Sequence, residues 1–330
     1  MSLASTVSLG ALRLQAQDRA DLINSNQISV PAWNQYLSQS HKRLFNKLVG
    51  AYGNDYHIAP LFQFAVGNSQ LYPLPNGLIA SLGQTAFAPA LFKILLVMLQ
   101  YSGAPTGWIT LRRFEDIETN RFAFPNQAVN YNGITNLMYR LSGENLEFIP
   151  VPQAGQVVQI KYIQKPKSLQ WLPTCATALG SAVVLISDAS DITVGMSVMG
   201  PGVQKVPVAT TVTGVNTAVT PNQVTLSLPV FQTNAYATLA FWSDATTIDG
   251  VSGWEEFIII DAAIKAKIKQ EQPIEDLITQ RNEIVMEIEA MAEGRDAGQA
   301  HHVSDVMAVN AWGGGFDGGM GGGGGFGGGF

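Results

Sequence analysis

Apolar residues at Leu9, Leu12, Ala16, Ala20 and Ile23 follow steps of three and four, while Arg13, Asp18, Arg19 and Asp21 fall on other faces. The spacing predicts an amphipathic helix with one packed stripe. A second helix is expected to open at Ser29, a good N-cap with Pro31 in the first turn. Its stripe is Val30, Trp33, Leu37, Leu44 and Leu48, and Gly50 and Gly53 are expected to end it. The two make a helical hairpin.

Between Ile58 and Lys165 the period changes. Pro and Gly recur, and Phe62–Val66, Trp108–Leu111 and Val157–Ile163 read as strands. Gly67-Asn68-Ser69 is expected to close one hairpin. Gly143-Glu144-Asn145 is expected to close another, between Leu137–Leu141 and Leu146–Ile149. Leu91–Leu99 is continuously apolar, which fits a buried strand or a buried helix segment; strand is the preferred reading.

From Thr174 to Ser243 the chain turns to Thr, Val, Ala and Gly, with only Asp188, Asp191 and Lys205 charged. Alternation at Val183–Ile186, Thr210–Val215 and Val224–Leu228 predicts a small all-β module. It reads as an insertion, because the strand ending at Lys165-Pro166 and the helix beginning near Gly253-Trp254 join naturally without it.

Val251–Asp296 is the opposite in character, with 11 acidic and 5 basic residues. After Pro273 a helix is predicted, with Ile274, Leu277, Ile278, Ile284, Val285, Ile288 and Met291 at heptad-like spacing and Arg281 in a slot where an apolar residue was due. Such a stripe packs either within its own fold or against a neighbouring subunit. Core positions expected from periodicity and size are Leu9, Leu12, Trp33, Leu37, Leu44, Tyr139, Ile160, Tyr162, Trp254, Ile258 and Ile264.

Composition bounds the function. The 330 residues are 46% hydrophobic but only 13% charged, so the chain is globular with an unusually neutral surface, and its length suits about two domains. Cys175 is the only cysteine, which excludes an intramolecular disulfide and any multi-thiolate metal site. A net charge of −6 without a Lys/Arg cluster argues against a general nucleic-acid binder. The start, Met1 to Arg13, lacks the pattern of a secretory signal. Thr85–Tyr101, the longest apolar stretch, is broken by Pro89 and Lys93, so no membrane span is expected.

The search for chemistry yields little. Gly103-Ala104-Pro105-Thr106-Gly107 lacks the Gly-Lys-Ser/Thr ending of a phosphate cradle. His301 and His302 are adjacent, so they point apart, and His41 and His57 are remote from them; no metal and no cofactor are expected. The acid pairs Glu255/Glu256, Asp116/Glu118 and Glu275/Asp276 sit among polar neighbours and read as solvated faces. No nucleophile elbow is present, and the chain reads as a non-enzyme.

Of the 33 glycines, 13 lie in residues 313–330, interleaved with Phe316, Met320, Phe326 and Phe330 and with no Arg or Lys. This tail reads either as a tether or as an extended arm whose four apolar side chains dock on a partner.

The order of features resembles the head-to-tail adaptor, or connector, family of tailed bacteriophages. The resemblance rests on Arg19-Ala20-Asp21-Leu22 with Ser25 and Ile28, then Ala51-Tyr52-Gly53-Asn54-Asp55-Tyr56 and Tyr72-Pro73-Leu74-Pro75. Phe92-Lys93, Tyr139-Arg140-Leu141, Pro150-Val151-Pro152 and Tyr162-Ile163 before Pro166 follow. Gly253-Trp254-Glu255-Glu256, Ala262–Lys269, Arg295-Asp296 and Val303-Ser304-Asp305-Val306 complete it. Each motif is short; their order carries the likeness over most of residues 5–173 and 250–306, and the β module and the Gly/Phe tail depart from it.

The resemblance implies a virion protein forming a ring, commonly of twelve subunits, between the portal and the tail nozzle or tube proteins, through which double-stranded DNA passes. Its carboxy-terminal part is implied to contact the portal, with Arg281 pairing across that interface and the acids of Val251–Asp296 repelling DNA from the channel wall. The competing expectation is a capsid-decorating or tail-surface protein whose β module binds a surface or host glycan.

The fold class expected is α+β: a helical bundle from the N-terminal hairpin and C-terminal helices, a β-strand core, and an inserted sandwich-like domain. Residues 1–173 and 244–312 form the discontinuous core domain, 174–243 the insert and 313–330 the tail.

Overall fold

The computed structural model describes residues 7–23, 27–77, 79–84, 88–100, 107–114, 137–152, 154–203, 209–251 and 253–294. Within them the protein is mixed α and β, with four α-helices and several sheets.

Helix α1 (Leu9–Arg19) is capped by Ser8, whose hydroxyl accepts from the Ala11 amide, and buries Leu9, Leu12 and Ala16. Ala20 is buried just past its end, but Ile23 is 53% exposed. The expected stripe stops short because Asp21 takes a left-handed turn at φ 58°, which rotates the following residues off the helix face. Helix α2 (Val30–Tyr52) begins after Ser29 with Pro31 in its first turn, although the Ser29 side chain makes no capping hydrogen bond. It runs through Gly50 and ends at Gly53, whose φ of 70° breaks the helical path. Trp33, Leu37, Leu44, Phe45 and Leu48 are fully buried on one side of it, each Leu or Phe contributing about 1.5–3 kcal/mol.

Helices α3 (Glu255–Lys269) and α4 (Glu275–Gly294) return at the far end of the chain to share this core: Phe257, Ile258, Ala262, Ala263, Ile264 and Ile288 join the α1 and α2 residues in one cluster. Residues 9–52 and 255–294, far apart in sequence, therefore form one structural unit.

Two sheets lie between them in sequence. One has the order β1 (Phe62–Ala65), β8 (Val157–Gln164), β3 (Leu91–Gln100), β4 (Trp108–Thr110), all antiparallel. The other has the order β2 (Leu71–Pro73), β7 (Asn145–Ile149), β6 (Met138–Ser142), β5 (Arg112–Arg113), with β5 parallel to β6. Phe62, Val97, Leu99, Val158, Ile160 and Tyr162 of the first sheet and Leu146 and Phe148 of the second fill a common core. The continuous apolar run is the strand β3, and Gly143-Glu144 closes the β6–β7 hairpin, with Ser142 opposite Asn145. Gly67-Asn68-Ser69 closes no hairpin: β1 pairs with β8 and β2 with β7, so this loop carries the chain from one sheet to the other.

Residues 174–242 form a five-stranded antiparallel sheet, in the order β12 (Val212–Asn216), β13 (Asn222–Leu226), β10 (Val183–Ile186), β9 (Thr174–Thr177), β14 (Asn234–Thr238). A two-stranded sheet of β11 (Ser197–Met199) and β15 (Ala240–Trp242) completes the module. Cys175, Val184, Ile186, Val198, Val224, Leu226 and Phe241 make a separate core. At the root, Trp171 and Phe241 exchange both backbone hydrogen bonds, at 3.0 and 2.9 Å. Alternation along β15 divides the duties: Phe241 packs into the module, while Ala240 and Trp242 pack into the helical core.

Nine of the eleven expected core residues are buried; Tyr139 and Trp254 are only partly so.

Candidate interaction surface

Helix α3 has Glu255 and Glu256 in its first turn and Lys267 and Lys269 in its last, matching the helix dipole at both ends. A short turn containing Glu271 at φ 56° and Pro273 leads into α4, which again opens on acids, Glu275 and Asp276. The acid pairs behave as surface groups: Glu256 bonds Arg19 at 2.7 Å, Glu275 and Asp276 are exposed, and Glu255 accepts from the Gly253 amide. Asp116 and Glu118 lie outside the described residues.

The apolar stripe of α4 faces its own chain. Leu277 and Ile288 are buried, and Ile274, Ile278, Ile284 and Val285 pack against the helical core; Met291 alone of the stripe stands 61% exposed. Arg281 also turns inward, donating to Asp261 of α3 at 3.3 Å, a partner within its own chain. Phe316, Met320, Phe326 and Phe330 lie outside the described residues.

Asp261 is the polar centre of the helical unit. Its side chain is 1% exposed and meets Arg43 of α2 at 3.0 Å, Lys265 one turn along α3 at 3.0 Å, and Arg281 of α4. The Ser40 hydroxyl adds a hydrogen bond at 2.8 Å. Burial alone would raise the carboxyl's pKa, but the hydrogen bond and charge of Lys265, with Ser40 and Arg43, overcome it and hold the group below its ordinary value. One carboxylate thus pins three helices. The sequence carries a signal for it: Asp261 interrupts the apolar run Phe257–Ile264, where an acid is tolerated only with partners.

A second buried polar node ties the helices to the strand region. The His41 ring donates from Nε2 to the Asp249 carbonyl at 2.9 Å, and the Gln164 amide donates to Nε2 of His57 at 2.7 Å. The Asp249 carboxylate stands 3.9 Å from His57. Burial lowers the pKa of both rings, against the opposing pull of Asp249.

With the stripe and Arg281 turned inward, the outer face of α4 is left to Asp276, Glu283, Glu287 and Glu289, with Met286 61% exposed among them. A small cleft of about 190 Å³ lies between the helices and the module, lined by Val30, Val198, Met199, Trp242 and the Arg13–Asp244 ion pair. Among the described residues, no three His, Cys, Asp or Glu side chains are grouped to hold a metal ion, and no helix is long and apolar enough to cross a membrane.

No protein-family model matches the chain, and no curated protein matches it by sequence.

Proposed function

We propose that this chain is a structural virion protein, a head-to-tail adaptor that assembles as a ring between portal and tail and lets double-stranded DNA pass. The order of short motifs supports the reading, and the single observation that carries it furthest is the joining of residues 9–52 with 255–294. Helices α1 and α2, from the first motif block, and α3 and α4, from the last, share one core, and the sheets and the module lie between them in sequence. A subunit built this way offers a rigid helical body for ring contacts and a continuing chain after residue 294 for the portal.

Exposed apolar side chains add support. Leu14, Leu71, Phe92, Leu141 and Ile268 are each at least two-fifths exposed, and they are spread over both the helices and the sheets. A protein with several partners has reason to keep such positions.

Electron microscopy of the purified protein, with binding to isolated portal, tests the reading. Rings that bind portal, and lose it on truncation at residue 306, are the expected result; a monomer occupying many lattice positions on intact heads would sink it. That outcome belongs to a decoration protein, for which Tyr236, Phe231 and Leu179, 82%, 61% and 68% exposed on the β module, are candidate glycan contacts.

A further inference from the structure

Two helix faces of the helical unit have no partner among the described residues, and they carry opposite charge. Helix α2 has no acidic residue in its 23 positions. Its solvent stripe runs through Gln35, Gln39, Lys42, Arg43 and Asn46, with Lys47 at the margin. The outer face of α4 carries Asp276, Glu283 and Glu287, flanked by Glu275 and Glu289. Lys42 and Lys47 pair with no acid, and Asp276, Glu283 and Glu287 with no base, among the described residues.

Each face also holds like charges one turn apart, Arg43 with Lys47 and Glu283 with Glu287. At that helical spacing like charges repel and weaken their own helix. On α2 Arg43 is held by Asp261, so Lys42 and Lys47 carry the free charge of that face, while on α4 Glu283 and Glu287 are both without a base among the described residues. The acids of α4 are not relieved within their own helix, because Arg281, its only base, is committed to Asp261 on the inner side.

We propose that the basic face of α2 in one copy docks on the acidic face of α4 in the next. Met286, exposed in the middle of the acidic face, supplies an apolar contact at the centre of the charged patch. Because the two surfaces are different, each docked copy presents a further free face, and the contact repeats until a ring closes. The ring closure rests on the adaptor reading; the pairing of the faces rests on their charges alone. It assigns the acids of α4 to the subunit contact, not to the wall of a DNA channel.

The test uses two charge-reversed full-length chains, Lys42→Glu with Lys47→Glu, and Glu283→Lys with Glu287→Lys. Arg43 is left alone because it holds Asp261. Circular dichroism and thermal melting check that both fold. In sedimentation velocity at low salt, wild type is expected as a large oligomer and each variant as a species at least several-fold smaller. Mixing the two variants in equal amounts is expected to restore the large oligomer, since the intact α2 of one then meets the intact α4 of the other, and the two reversed faces also match.

Unchanged assembly of both variants, failure of the mixture to recover, or a wild type that stays monomeric would overturn the pairing. A charge-dependent dimer restored by mixing would keep the pairing and overturn the ring. A charge-dependent ring that ignores portal would keep both and overturn only the adaptor.

Discussion

Arg13 and Asp244 stand 231 positions apart in the chain and meet through a two-pronged ion pair, both contacts at 2.9 Å. The same few residues finish the first turn of α1: the Asp244 carbonyl accepts from the Gly10 amide and the Thr246 carbonyl from the Leu9 amide. Gly10 allows this approach, since a Cβ there would sit 3.2 Å from the Asp244 Cβ. The segment leaving the β module therefore caps the first helix. Asp244→Ala is expected to cost about 1 kcal/mol, because the aspartate side is largely solvated. Arg13→Ala should cost more, since Asn34, fully buried, loses its hydrogen bond from Arg13. Urea denaturation of both variants, and of the double variant, measures the coupling.

Removing the carboxylate at the centre of the helical unit should be far more damaging. Asp261→Ala leaves Arg43, Lys265 and Arg281 converging on a site with no counter-charge, and a loss of about 3–5 kcal/mol is expected. Replacing Asp261 together with Arg281 by apolar residues of similar size should recover part of that loss. Equal denaturation midpoints for wild type and Asp261→Ala would show that the node adds nothing.

Acid should weaken the fold in two stages. The folded His41 and His57 resist protonation, so below their ordinary value of 6.5 the unfolded chain takes up protons that the folded chain refuses. Stability is full above that value and falls as pH drops through it toward the lowered folded values. The carboxyl of Asp261 adds a second loss of the same sign below its ordinary 3.8. Urea midpoints measured from pH 8 to pH 5 should decline in the wild type and stay flatter in a His41→Gln, His57→Gln double variant.

Gly250 sits at φ 66° with its carbonyl held by the Tyr56 hydroxyl, and a Cβ added there would stand 3.1 Å from three atoms of the His57 ring. Gly250→Ala is therefore expected to lower stability by about 1–3 kcal/mol. Gly67→Ala, whose Cβ would meet nothing within 4 Å, serves as the contrasting change and should stay close to wild type. Thermal melts of the pair decide it.

Much of the local structure is legible from short-range signals. The period of Leu9, Leu12 and Ala16, the Gly143-Glu144 turn and the apolar run of β3 each specify their element within a dozen residues. Pairings set by distant partners are not legible this way. β1 bonds β8 nearly a hundred residues on, so the turn residues after β1, though well chosen for a hairpin, serve as a crossing between sheets. At the candidate interface, the polar slot at Arg281 was visible in the stripe, but its partner was not, because Asp261 lies on another helix and reveals itself only by its apolar neighbours. The outward face of α4 is legible only with the fold, because the inward turn of the stripe leaves Glu283, Glu287 and Glu289 as the helix's outer surface.

The paired strands at Trp171 and Phe241 bring the module's entry and exit side by side. Such a stem makes residues 174–239 a single excursion that leaves and returns at one point, with Met199 reaching back to pack on the helical core. A reporter protein or an antigen grafted there would be carried at a fixed address on the host body, once per copy.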